Sequence, residues 1–415
     1  MTDVATQAVT IGGVGETLDD AVVRDFVARQ LAAERLDGKS VCVIVPDGTR
    51  SCPLPLLLDA VRETLAGRAT NVTVLVALGT HAAMTDAHLA RHLGVHEGLT
   101  VRNHEWWRPE ALVSLGTIGA ATTGELSEGR MSEPVDVVVN RAVVEHDVCL
   151  VVGPVFPHEV VGFSGGNKYF VPGVAGPEII DFSHWLGALI TSAEIIGTRG
   201  VTPVRALIDR AASLIPARRL ALCLVVESGT GALHAASFGT PEAAWAACAD
   251  ISAQAHVRYL DAPVRRVLSL VPPKYDDMWT GAKGFYKVEP IVADGGQVII
   301  YAPHITEISA MHPAVQEIGY HCRDYFLKQW DRFQHYHWGD LAHSTHLRGA
   351  GTYDPVAGEH GRVTVTLATG IPEDVVRSVS LDYLDPASVD IAAFEADAET
   401  LVVPDAGEVL FRLRA

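Results

Sequence analysis

"SVCVIVPD", residues 40–47, is a short run of apolar, mostly β-branched residues that ends in an aspartate. Three similar runs follow along the chain: "NVTVLVALG" (71–79), "DVCLVVGPV" (147–155) and "LALCLVVES" (220–228). Each run is almost continuously apolar, which is typical of parallel strands covered on both faces. The segments "PLPLLLDAVRETLAG" and "VTPVRALIDRAASLI" between them place apolar residues at helical spacing. This alternation predicts a doubly wound α/β domain.

A second cycle of strands and helices begins near residue 265. "RRVLSLVPP" and "GGQVIIYAP" have strand character, and we predict a helix over "YDDMWTGAKGFYKVEPIV" between them. The predicted fold is therefore α/β, with two lobes, mainly parallel sheets and an active-site cleft between the lobes. The predicted domains are residues 1–262, residues 263–398 with Lys283, and a C-terminal segment, residues 399–415, that could return to the first domain.

The bulk composition limits the function classes. A chain of 415 residues is long enough for two domains. The net charge is −18, and the absence of any Lys/Arg run excludes nucleic acid and argues against an anionic membrane surface. No stretch approaches the ~20 apolar residues of a membrane span, and "MTDVATQAVT" lacks the pattern of a signal peptide. Six scattered cysteines argue against a disulfide framework, so we expect a cytoplasmic protein.

Polar residues follow several predicted strands at their carboxyl ends. Asp47 and Arg50 follow the first strand, and His81 follows the second. His158 and Lys283 follow later strands in the same way. Taken singly, each has a structural explanation, such as a turn aspartate, a surface arginine or a loop histidine. Because the pattern recurs where α/β proteins bind ligands, it favours a shared site.

The glycine loop "FSGGNK", residues 163–168, contains Ser164, Gly165 and Gly166, whose backbone could hold an anion. It lacks the GxxxxGK[ST] spacing of a P-loop, and "IGGVGET" near residue 11 lacks a full GxGxxG, so nucleotide sites of these two kinds are not supported. Lys168 is either an ordinary surface lysine or, flanked by the apolar "YFVPG", a lysine placed for covalent chemistry. His184 could bind a metal, but a lone histidine does not make a metal site.

Five segments occur in a recognisable order over most of the chain: "DGTR", "GTHAAMTDAHL", "PHEVVGFSGGNK", "VPGVAG" and "SHW". Together they resemble the lactate racemase family, whose members use a nickel-pincer nucleotide. The spacing from His158 through Lys168 to His184 is the most specific part of the resemblance. It implies an isomerase, a racemase or epimerase acting on a hydroxy acid.

The resemblance also implies a covalent cofactor. Lys168 matches the lysine that anchors a pyridinium-derived mononucleotide through a thioamide bond. Carbon and sulfur atoms of this cofactor hold nickel, and His184 matches the protein ligand to that nickel, which suits square-planar coordination. The loop residues Ser164, Gly165 and Gly166 then approach the cofactor closely, and separate maturation enzymes are expected partners.

The implied reaction inverts a hydroxyl-bearing carbon, usually C2 of a 2-hydroxy acid, by reversible hydride transfer to the cofactor. His81 and His158 match the two acid/base groups, and the ordinary histidine pKa of about 6.5 suits proton transfer in both directions. Arg50 and Lys283 match the residues that hold the substrate carboxylate. Asp47 matches an acidic residue that supports this site, by orienting Arg50 or a histidine.

Some residues depart from the family pattern. Where lactate racemases carry a Tyr-Gln pair, "MWTGAK" has Trp279 at the predicted cofactor site and Thr280 at the predicted substrate site. Trp330 matches a cofactor-facing tryptophan, although Trp338 competes for this role and core packing is the alternative. With "NHEWW", these differences argue against lactate and favour a larger hydroxy acid or a sugar acid. The histidine-rich tract 335–346 has no counterpart and could be a solvated helix face or line the cleft.

Two other functions stay open on the residues alone. One is a metal-dependent hydrolase or lyase that uses His81 and His158 with an ordinary divalent metal. The other is a non-catalytic protein that binds a nucleotide-like anion at the glycine loop. The first needs a cluster of metal ligands on a short segment, and the second needs neither Lys168 nor paired histidines.

Overall fold

In this computed structural model, which describes residues 8–94 and 98–414, the chain divides into two compact units. The first unit comprises the described part of Met1–Phe156 together with Phe163–Ile180 and Arg199–Ala255. The second comprises Pro157–Gly162, Asp181–Thr198 and the described part of His256–Ala415. Residues 1–7 of the predicted first domain lie outside the described ranges.

The change from the first to the second unit at Ala255–His256 lies slightly before the predicted boundary at Ala262–Pro263. The structure further assigns two short internal segments to the second unit, and these carry His158 and His184, both expected in the first domain. Segments this short cause no visible change of composition in the sequence. The sequence therefore predicts only the boundary that precedes the long C-terminal part of the second unit.

The strands are mostly short, and many are rich in buried β-branched residues. In chain order they are β1 (Val9–Gly12), β2 (Ser40–Pro46), β3 (Asn71–Ala77), β4 (Thr100–Asn103), β5 (Leu112–Ile118), β6 (Val135–Asn140), β7 (Val148–Pro154), β8 (Pro157–His158), β9 (Gly162–Phe163), β10 (Arg218–Val226), β11 (Leu233–Gly239), β12 (Val257–Leu260), β13 (Val264–Leu270), β14 (Val292–Ala302), β15 (Gly351–Asp354), β16 (Gly358–Gly361), β17 (Thr364–Thr369), β18 (Asp382–Tyr383), β19 (Thr400–Val403) and β20 (Leu410–Leu413).

The helices alternate with these strands in much of the chain. They are α1 (Asp20–Ala33), α2 (Leu54–Leu65), α3 (Asp86–Leu93), α4 (Ala120–Leu126), α5 (Ala142–Glu145), α6 (Pro177–Ile190), α7 (Ser192–Ile195), α8 (Pro203–Ala212), α9 (Pro241–Ala255), α10 (Met278–Gly281), α11 (Lys283–Tyr286), α12 (Ala314–Ile318), α13 (Arg323–Leu327), α14 (Trp330–Phe333), α15 (Trp338–Arg348), α16 (Glu373–Ser378) and α17 (Ile391–Ala396). Across residues 8–94 and 98–414, none of the helices is both long and apolar enough to cross a bilayer.

A seven-stranded sheet with the order β1-β11-β10-β7-β2-β3-β4 forms the centre of the first unit. From β4 to β10 all neighbours are parallel, and β11 and β1 add an antiparallel edge. The four apolar runs that predict buried strands are β2, β3, β7 and β10, and they occupy consecutive central positions. The chain runs outward in opposite directions from the β2–β7 pair, which makes that pair the topological switch point, where α/β sheets commonly bind ligands.

The core of the first unit explains why these runs form central strands. All seven residues of β7 are buried, as are six of the seven in β2. Helices cover the sheet with their apolar stripes; α2 buries Leu54, Leu57 and Val61 at helical spacing. Burial on both faces is the condition that selects continuous apolar strands.

A five-stranded, fully parallel sheet with the order β18-β17-β14-β13-β19 forms the centre of the second unit. The α/β class with mainly parallel sheets is therefore confirmed. The C-terminal segment does not return to the first domain; β19 instead pairs with β13, and β20 pairs with β12 of the same unit. The apolar run "TLVV" thus completes the edge of the sheet in its own unit.

The helix expected between β13 and β14 is instead broken into α10, α11 and a 3-10 turn over Glu289–Ile291. Glycine is a poor helix former, and here it is also required by close packing. A Cβ atom on Gly284 would lie 2.7 Å from Cγ2 of Val271, so the segment sits too close to its neighbours for a larger residue. The break positions Trp279, Thr280 and Lys283 on two short helices.

Leu222→Ala should destabilise the first unit strongly, because Leu222 is 1% exposed in the central strand β10. A buried Leu→Ala change typically costs about 2–5 kcal/mol, through lost transfer energy and the cavity left behind. The matched control is Leu327→Ala, where the leucine is 43% exposed and a change within about 0.5 kcal/mol is expected. Urea unfolding followed by circular dichroism measures both; equal losses would contradict the assigned core.

Candidate active site

The neighbouring parallel strands β2 and β3 bring Asp47 and His81 together at their carboxyl ends. Nδ1 of His81 lies 2.5 Å from Oδ2 of Asp47. The other carboxylate oxygen of Asp47 accepts hydrogen bonds from the backbone N–H (3.1 Å) and the hydroxyl (2.6 Å) of Thr49. When Nδ1 of a neutral histidine donates its proton to a carboxylate, Nε2 carries the lone pair that can accept a proton.

The Asp47 carboxylate is ionised despite being buried. Burial alone would raise the pKa of Asp47, but the charge and hydrogen bond of His81, the Thr49 hydroxyl and the charge of Arg50 together hold that pKa well below its usual range. Asp47 therefore orients His81 rather than taking up the proton itself. Arg50 belongs to the same neighbourhood, as the sequence predicts for the ends of adjacent strands.

Lys168 lies in a 3-10 turn, Gly166–Tyr169, that is tied to the loop after β3. The backbone N–H of Gly173 donates to the carbonyl of Lys168 (3.0 Å), and the N–H of Gly79 donates to the carbonyl of Gly173 (3.0 Å). The Lys168 side chain is partly exposed. The first unit thus brings Lys168 to the same edge of the sheet as the Asp47–His81 pair.

Tyr169 is a residue of this site that sequence reasoning missed. Its ring covers β7 so closely that a Cβ atom on Gly153 would lie 2.0 Å from the Tyr169 hydroxyl. Burial, with the nearby Cys52 thiol, raises the pKa of Tyr169 well above its ordinary value, although the charge of Arg50 opposes this shift. The signal available in the sequence was a glycine inside an otherwise apolar strand, which indicates close approach of another group.

A buried arginine fixes the glycine loop from behind. Arg205 on α8 is 1% exposed and donates hydrogen bonds to the carbonyls of Gly165 (3.1 Å) and Phe163 (2.6 Å). Its guanidinium also lies 4.2 Å above the ring of Trp245. These contacts replace part of the water that an exposed arginine would bind, and they connect the loop that carries Lys168 to α8.

The predicted cofactor-binding residues of the loop have packing roles of their own. Gly165 and Gly166 have φ of +88° and +58°, and a Cβ atom on either would lie within 2.7 Å of Val155 or Trp245. The Ser164 hydroxyl accepts from the N–H of Phe156 (2.9 Å). Protein packing alone therefore requires glycine at both positions, and contact with a cofactor stays a prediction.

In the second unit, His158 is buried beside a carboxylate. Its Nδ1 accepts from the N–H of Val160 (3.2 Å) and lies 3.4 Å from Oε2 of Glu159. Burial would raise the pKa of Glu159, but the charges of Lys287 and Lys283, with a smaller contribution from His346, hold it below its usual value. Glu159 was not singled out from the sequence, where it reads as an ordinary acidic neighbour of a histidine.

His184 lies on the part of α6 that belongs to the second unit, and this part packs against the His158 segment. A Cβ atom on Gly187, one turn after His184, would lie 2.9 Å from the carbonyl oxygen of Val160. The next residue, Trp185, stacks on Trp330 with ring centroids 5.4 Å apart. Trp330 thus lies in an aromatic cluster beside His184, and Trp338 contacts the same ring at 5.6 Å.

Trp279 and Thr280, which depart from the family pattern, lie on the short helix α10, and Lys283 lies on α11. The Thr280 hydroxyl and N–H both bond to Oδ1 of Asp277 (2.8 and 2.9 Å), so Thr280 is engaged in a helix N-cap. Trp279 stacks on His312 (3.6 Å) and His343 (4.1 Å). Lys283 is buried, with its amine 5.3 Å above the ring of Tyr275.

The histidine-rich tract divides into two parts. His335 and His337 are exposed, and His337 pairs with Asp181 at 3.0 Å. His343 and His346, both on α15, are buried. Burial lowers the pKa of His346 to about 4 against the opposing charge of Glu159, so this imidazole is neutral near neutral pH. The tract is therefore not a solvated helix face: its exposed part is the turn between α14 and α15, and its buried part is a polar cluster on α15.

A pair of tryptophans in the first unit lies apart from these groups. The ring centroids of Trp106 and Trp107 lie 5.7 Å apart in an edge-to-face arrangement, and Trp107 is 38% exposed.

Within the described ranges, no three His, Cys, Asp or Glu side chains come together as a group that could hold a metal ion. A metal bound here would therefore need ligands from a source other than such a cluster.

Comparisons with known proteins agree on one family. A family model described as "Lactate racemase N-terminal domain" matches residues 12–196. A curated lactate racemase from Thermoanaerobacterium thermosaccharolyticum is 26% identical over 297 residues, which cover 68% of this chain and 66% of that protein. A second, from Lactiplantibacillus plantarum, is 27% identical over 151 residues, or 35% of this chain and 32% of that protein.

Two solved structures share the fold over nearly the whole chain. A crystal structure of a Thermotoga maritima protein has a TM-score of 0.90 and 32% identity, covering 97% of this chain and all of the other. The lactate racemase apoprotein from T. thermosaccharolyticum has a TM-score of 0.71 and 20% identity, covering 98% and 100%. The chain thus shares its α/β fold with both of these proteins. It belongs to the lactate racemase family, whose curated members above are named as racemases.

Asp47→Asn should destabilise the protein in a pH-dependent way. A carboxyl whose pKa is depressed by folding contributes stability that is fully present above its unfolded pKa of about 3.9 and is lost as the pH falls through the folded pKa. We expect the variant to be less stable near neutral pH by about 1.5–3 kcal/mol, the usual range for hydrogen bonds to a charged group. The difference should shrink as the pH is lowered from about 5 to about 2.

Urea unfolding at a series of pH values measures this difference. The control is Asp37→Asn, which removes an exposed carboxylate paired with Arg68 and should have little effect at any pH. A stability difference for Asp47→Asn that does not change with pH would contradict the assigned ionised state.

Proposed function

We propose that this protein is a racemase or epimerase of a 2-hydroxy acid other than lactate, and that it works with a nickel-pincer nucleotide bound to Lys168. The observation that carries the proposal is the Asp47–His81 pair at the same sheet edge as the Lys168 turn. A carboxylate-oriented histidine beside a rigidly held lysine combines acid/base chemistry with a point of covalent attachment. Family membership supports the same reading.

The residues present fit such a cofactor. Lys168 is partly exposed, and its turn is fixed by Arg205 through the loop carbonyls, so its amine is both reachable and well placed. His184 offers a partly exposed imidazole, the one protein ligand that a nickel ion needs when carbon and sulfur atoms of a cofactor supply the rest. When bound, the nickel-pincer nucleotide supplies a reversible hydride acceptor.

His81 acts as one of the two acid/base groups. Its Nδ1–H is directed to Asp47, so Nε2 takes the proton from the substrate hydroxyl as the hydride leaves carbon. The buried Asp47 carboxylate stabilises the imidazolium that results. Arg50, on the same loop as Asp47, holds the substrate carboxylate, and a guanidinium can do so with two parallel hydrogen bonds.

His158 acts as the second acid/base group and serves the opposite substrate face. A proton delivered by one histidine and removed by the other allows the hydroxyl-bearing carbon to be inverted in both directions. Lys283, buried and close to Glu159, adds positive charge for the substrate carboxylate.

The second unit supports a substrate other than lactate. Thr280 stands where lactate racemases carry a glutamine, and its hydroxyl is engaged with Asp277. Trp279 replaces a tyrosine and is held between polar rings by its stacking on His312 and His343. A bulky indole with imidazole neighbours suits a longer, more polar chain, such as that of a larger hydroxy acid or a sugar acid.

The alternative functions are less well supported. A hydrolase or lyase with an ordinary divalent metal requires a cluster of protein ligands, and residues 8–94 and 98–414 contain no such group. An anion-binding protein would have no use for the Asp47–His81 pair. We also propose a cytoplasmic location, since all six cysteines are free thiols. Cofactor maturation enzymes are proposed as partners because the proposed cofactor has to be made and loaded by other proteins.

Intact-protein mass spectrometry tests the cofactor directly. Protein produced together with the cofactor-making enzymes should carry an added mass that maps to Lys168, with about one nickel per chain, as a single covalent site implies. Lys168→Ala should lose both the added mass and the nickel, whereas Lys39→Ala, at a lysine on the surface of the same unit, should keep them. An unmodified Lys168 in protein produced with active maturation enzymes would refute the proposal.

His184→Ala should distinguish binding of the nickel ion from covalent attachment of the nucleotide. Because His184 is proposed to bind nickel and not the nucleotide, the variant should keep the added mass at Lys168 but lose most of its nickel. Elemental analysis of the same sample measures this. Unchanged nickel content in His184→Ala would show that another group binds the metal.

His81→Gln should lower kcat by about 10²–10⁴-fold on a hydroxy acid that the wild type interconverts, the usual contribution of a general acid/base. The cofactor mass at Lys168 should be unchanged. The control is His88→Gln, which alters an exposed histidine on α3 and should leave kcat unchanged. Wild-type kcat in His81→Gln, with full cofactor loading, would remove His81 from the reaction.

A further inference from the structure

The two acid/base histidines differ in how their Nδ1 atoms are held. Nδ1 of His81 lies 2.5 Å from the carboxylate of Asp47. Nδ1 of His158 instead accepts from the N–H of Val160 at 3.2 Å. A neutral imidazole that accepts at Nδ1 carries its proton on Nε2, and in that tautomer Nε2 has no lone pair with which to take a proton from a hydroxyl.

Glu159 supplies what this arrangement needs. Its Oε2 lies 3.4 Å from the same Nδ1, so an Nδ1–H can be directed to Glu159 in place of the bond from Val160. With the proton on Nδ1, Nε2 carries a lone pair and can act as the base. We propose that Glu159 is the positioning residue for His158, setting both its tautomer and its charge, as Asp47 does for His81. This inference rests on the proposed acid/base role of His158.

The surroundings of Glu159 keep it in the form this role requires. The charged and titratable groups around it are His158, Lys283, Lys287 and His346. Lys287 donates a hydrogen bond to the carbonyl of Pro157, which ties the segment that carries His158 and Glu159 to a buried cation. The two lysines favour the carboxylate form of Glu159, so it accepts a proton from His158 in a hydrogen bond rather than binding one itself.

The lysines near Glu159 include the proposed carboxylate-binding group, Lys283. Two buried lysines lie near the partly buried carboxylate of Glu159, while burial keeps His346 neutral near neutral pH. Glu159 thus connects the proton-transfer group, His158, with the proposed carboxylate-binding group, Lys283.

Glu159→Gln in the cofactor-loaded enzyme tests the proposal through the pH dependence of the initial rate, measured in both directions of the interconversion. The amide keeps the shape of the side chain but removes the charge that stabilises protonated His158. In the direction in which His158 donates its proton, the alkaline limb should move to lower pH. In the other direction the acidic limb should move to lower pH. Shifts of about one pH unit or more are expected for loss of a nearby opposite charge.

A merely structural role is distinguished by a second variant. If Glu159 only balances the charge of Lys287, then Glu159→Gln combined with Lys287→Met should restore both stability and the wild-type pH limbs. The proposal instead predicts that stability recovers and the limbs stay displaced, while Glu159→Asp, which keeps the charge, recovers much of the wild-type profile. Unshifted limbs in Glu159→Gln, or full recovery in the double variant, would overturn the proposal.

A histidine NMR titration separates this proposal from the proposed function. In full-length protein without cofactor, carrying ¹³C-labelled histidine, the His158 signal is assigned by its loss in His158→Gln. Its titration midpoint should fall in Glu159→Gln relative to the wild type. No shift would refute the Glu159 role even if the loaded enzyme is an active racemase. A clear shift in a protein that interconverts no hydroxy acid would uphold the pairing and refute the proposed function alone.

Discussion

The buried guanidinium of Arg205 is the interaction on which the position of Lys168 depends. Moving a cation out of water costs several kcal/mol unless its hydrogen bonds are replaced. Here the carbonyls of Phe163 and Gly165 and the ring of Trp245 replace part of them, while the buried Nε of Arg205 makes no hydrogen bond to any described residue. Burial lowers the pKa of Arg205 to about 10, and the charge of Asp209 opposes this shift, so the group keeps its charge at any physiological pH. The glycine loop is therefore rigid before any ligand arrives, which favours precise attachment at one lysine.

Each unit contains a histidine beside a carboxylate, and these are the two groups proposed to transfer protons. A histidine that follows a strand is paired with a carboxylate that burial would neutralise and that nearby positive groups keep ionised. In the first unit the pair is Asp47 and His81, and Arg50 and the Thr49 hydroxyl assist. In the second unit Glu159 lies beside His158, and lysines take the role of the arginine. The two pairs differ in length and in the competing bond from Val160.

The sequence predicts the strands and the residues at their ends because both follow from local patterns. Continuous apolar runs indicate buried parallel strands, and the position of His81 one strand after Asp47 is enough to expect that they are neighbours. Arg205 could not be predicted, since an arginine on an amphipathic helix reads as a surface charge until the loop packed on that helix is known. The same holds for Glu159, whose role depends on lysines more than a hundred residues away in the chain. The break between α10 and α11 was also missed, because the close packing of Gly284 against Val271 that accompanies it leaves no local sequence pattern.

The fate of the hydrogen on the inverted carbon tests the central claim most directly. A 2-hydroxy acid labelled with deuterium at C2 would be interconverted by the cofactor-loaded enzyme in ordinary water, and the product analysed by mass spectrometry and NMR. Hydride transfer with His81 and His158 moving only the hydroxyl proton predicts that the product keeps deuterium on the same carbon. Replacement of that deuterium by solvent hydrogen would show that a histidine removes the carbon-bound proton instead, and would contradict the account.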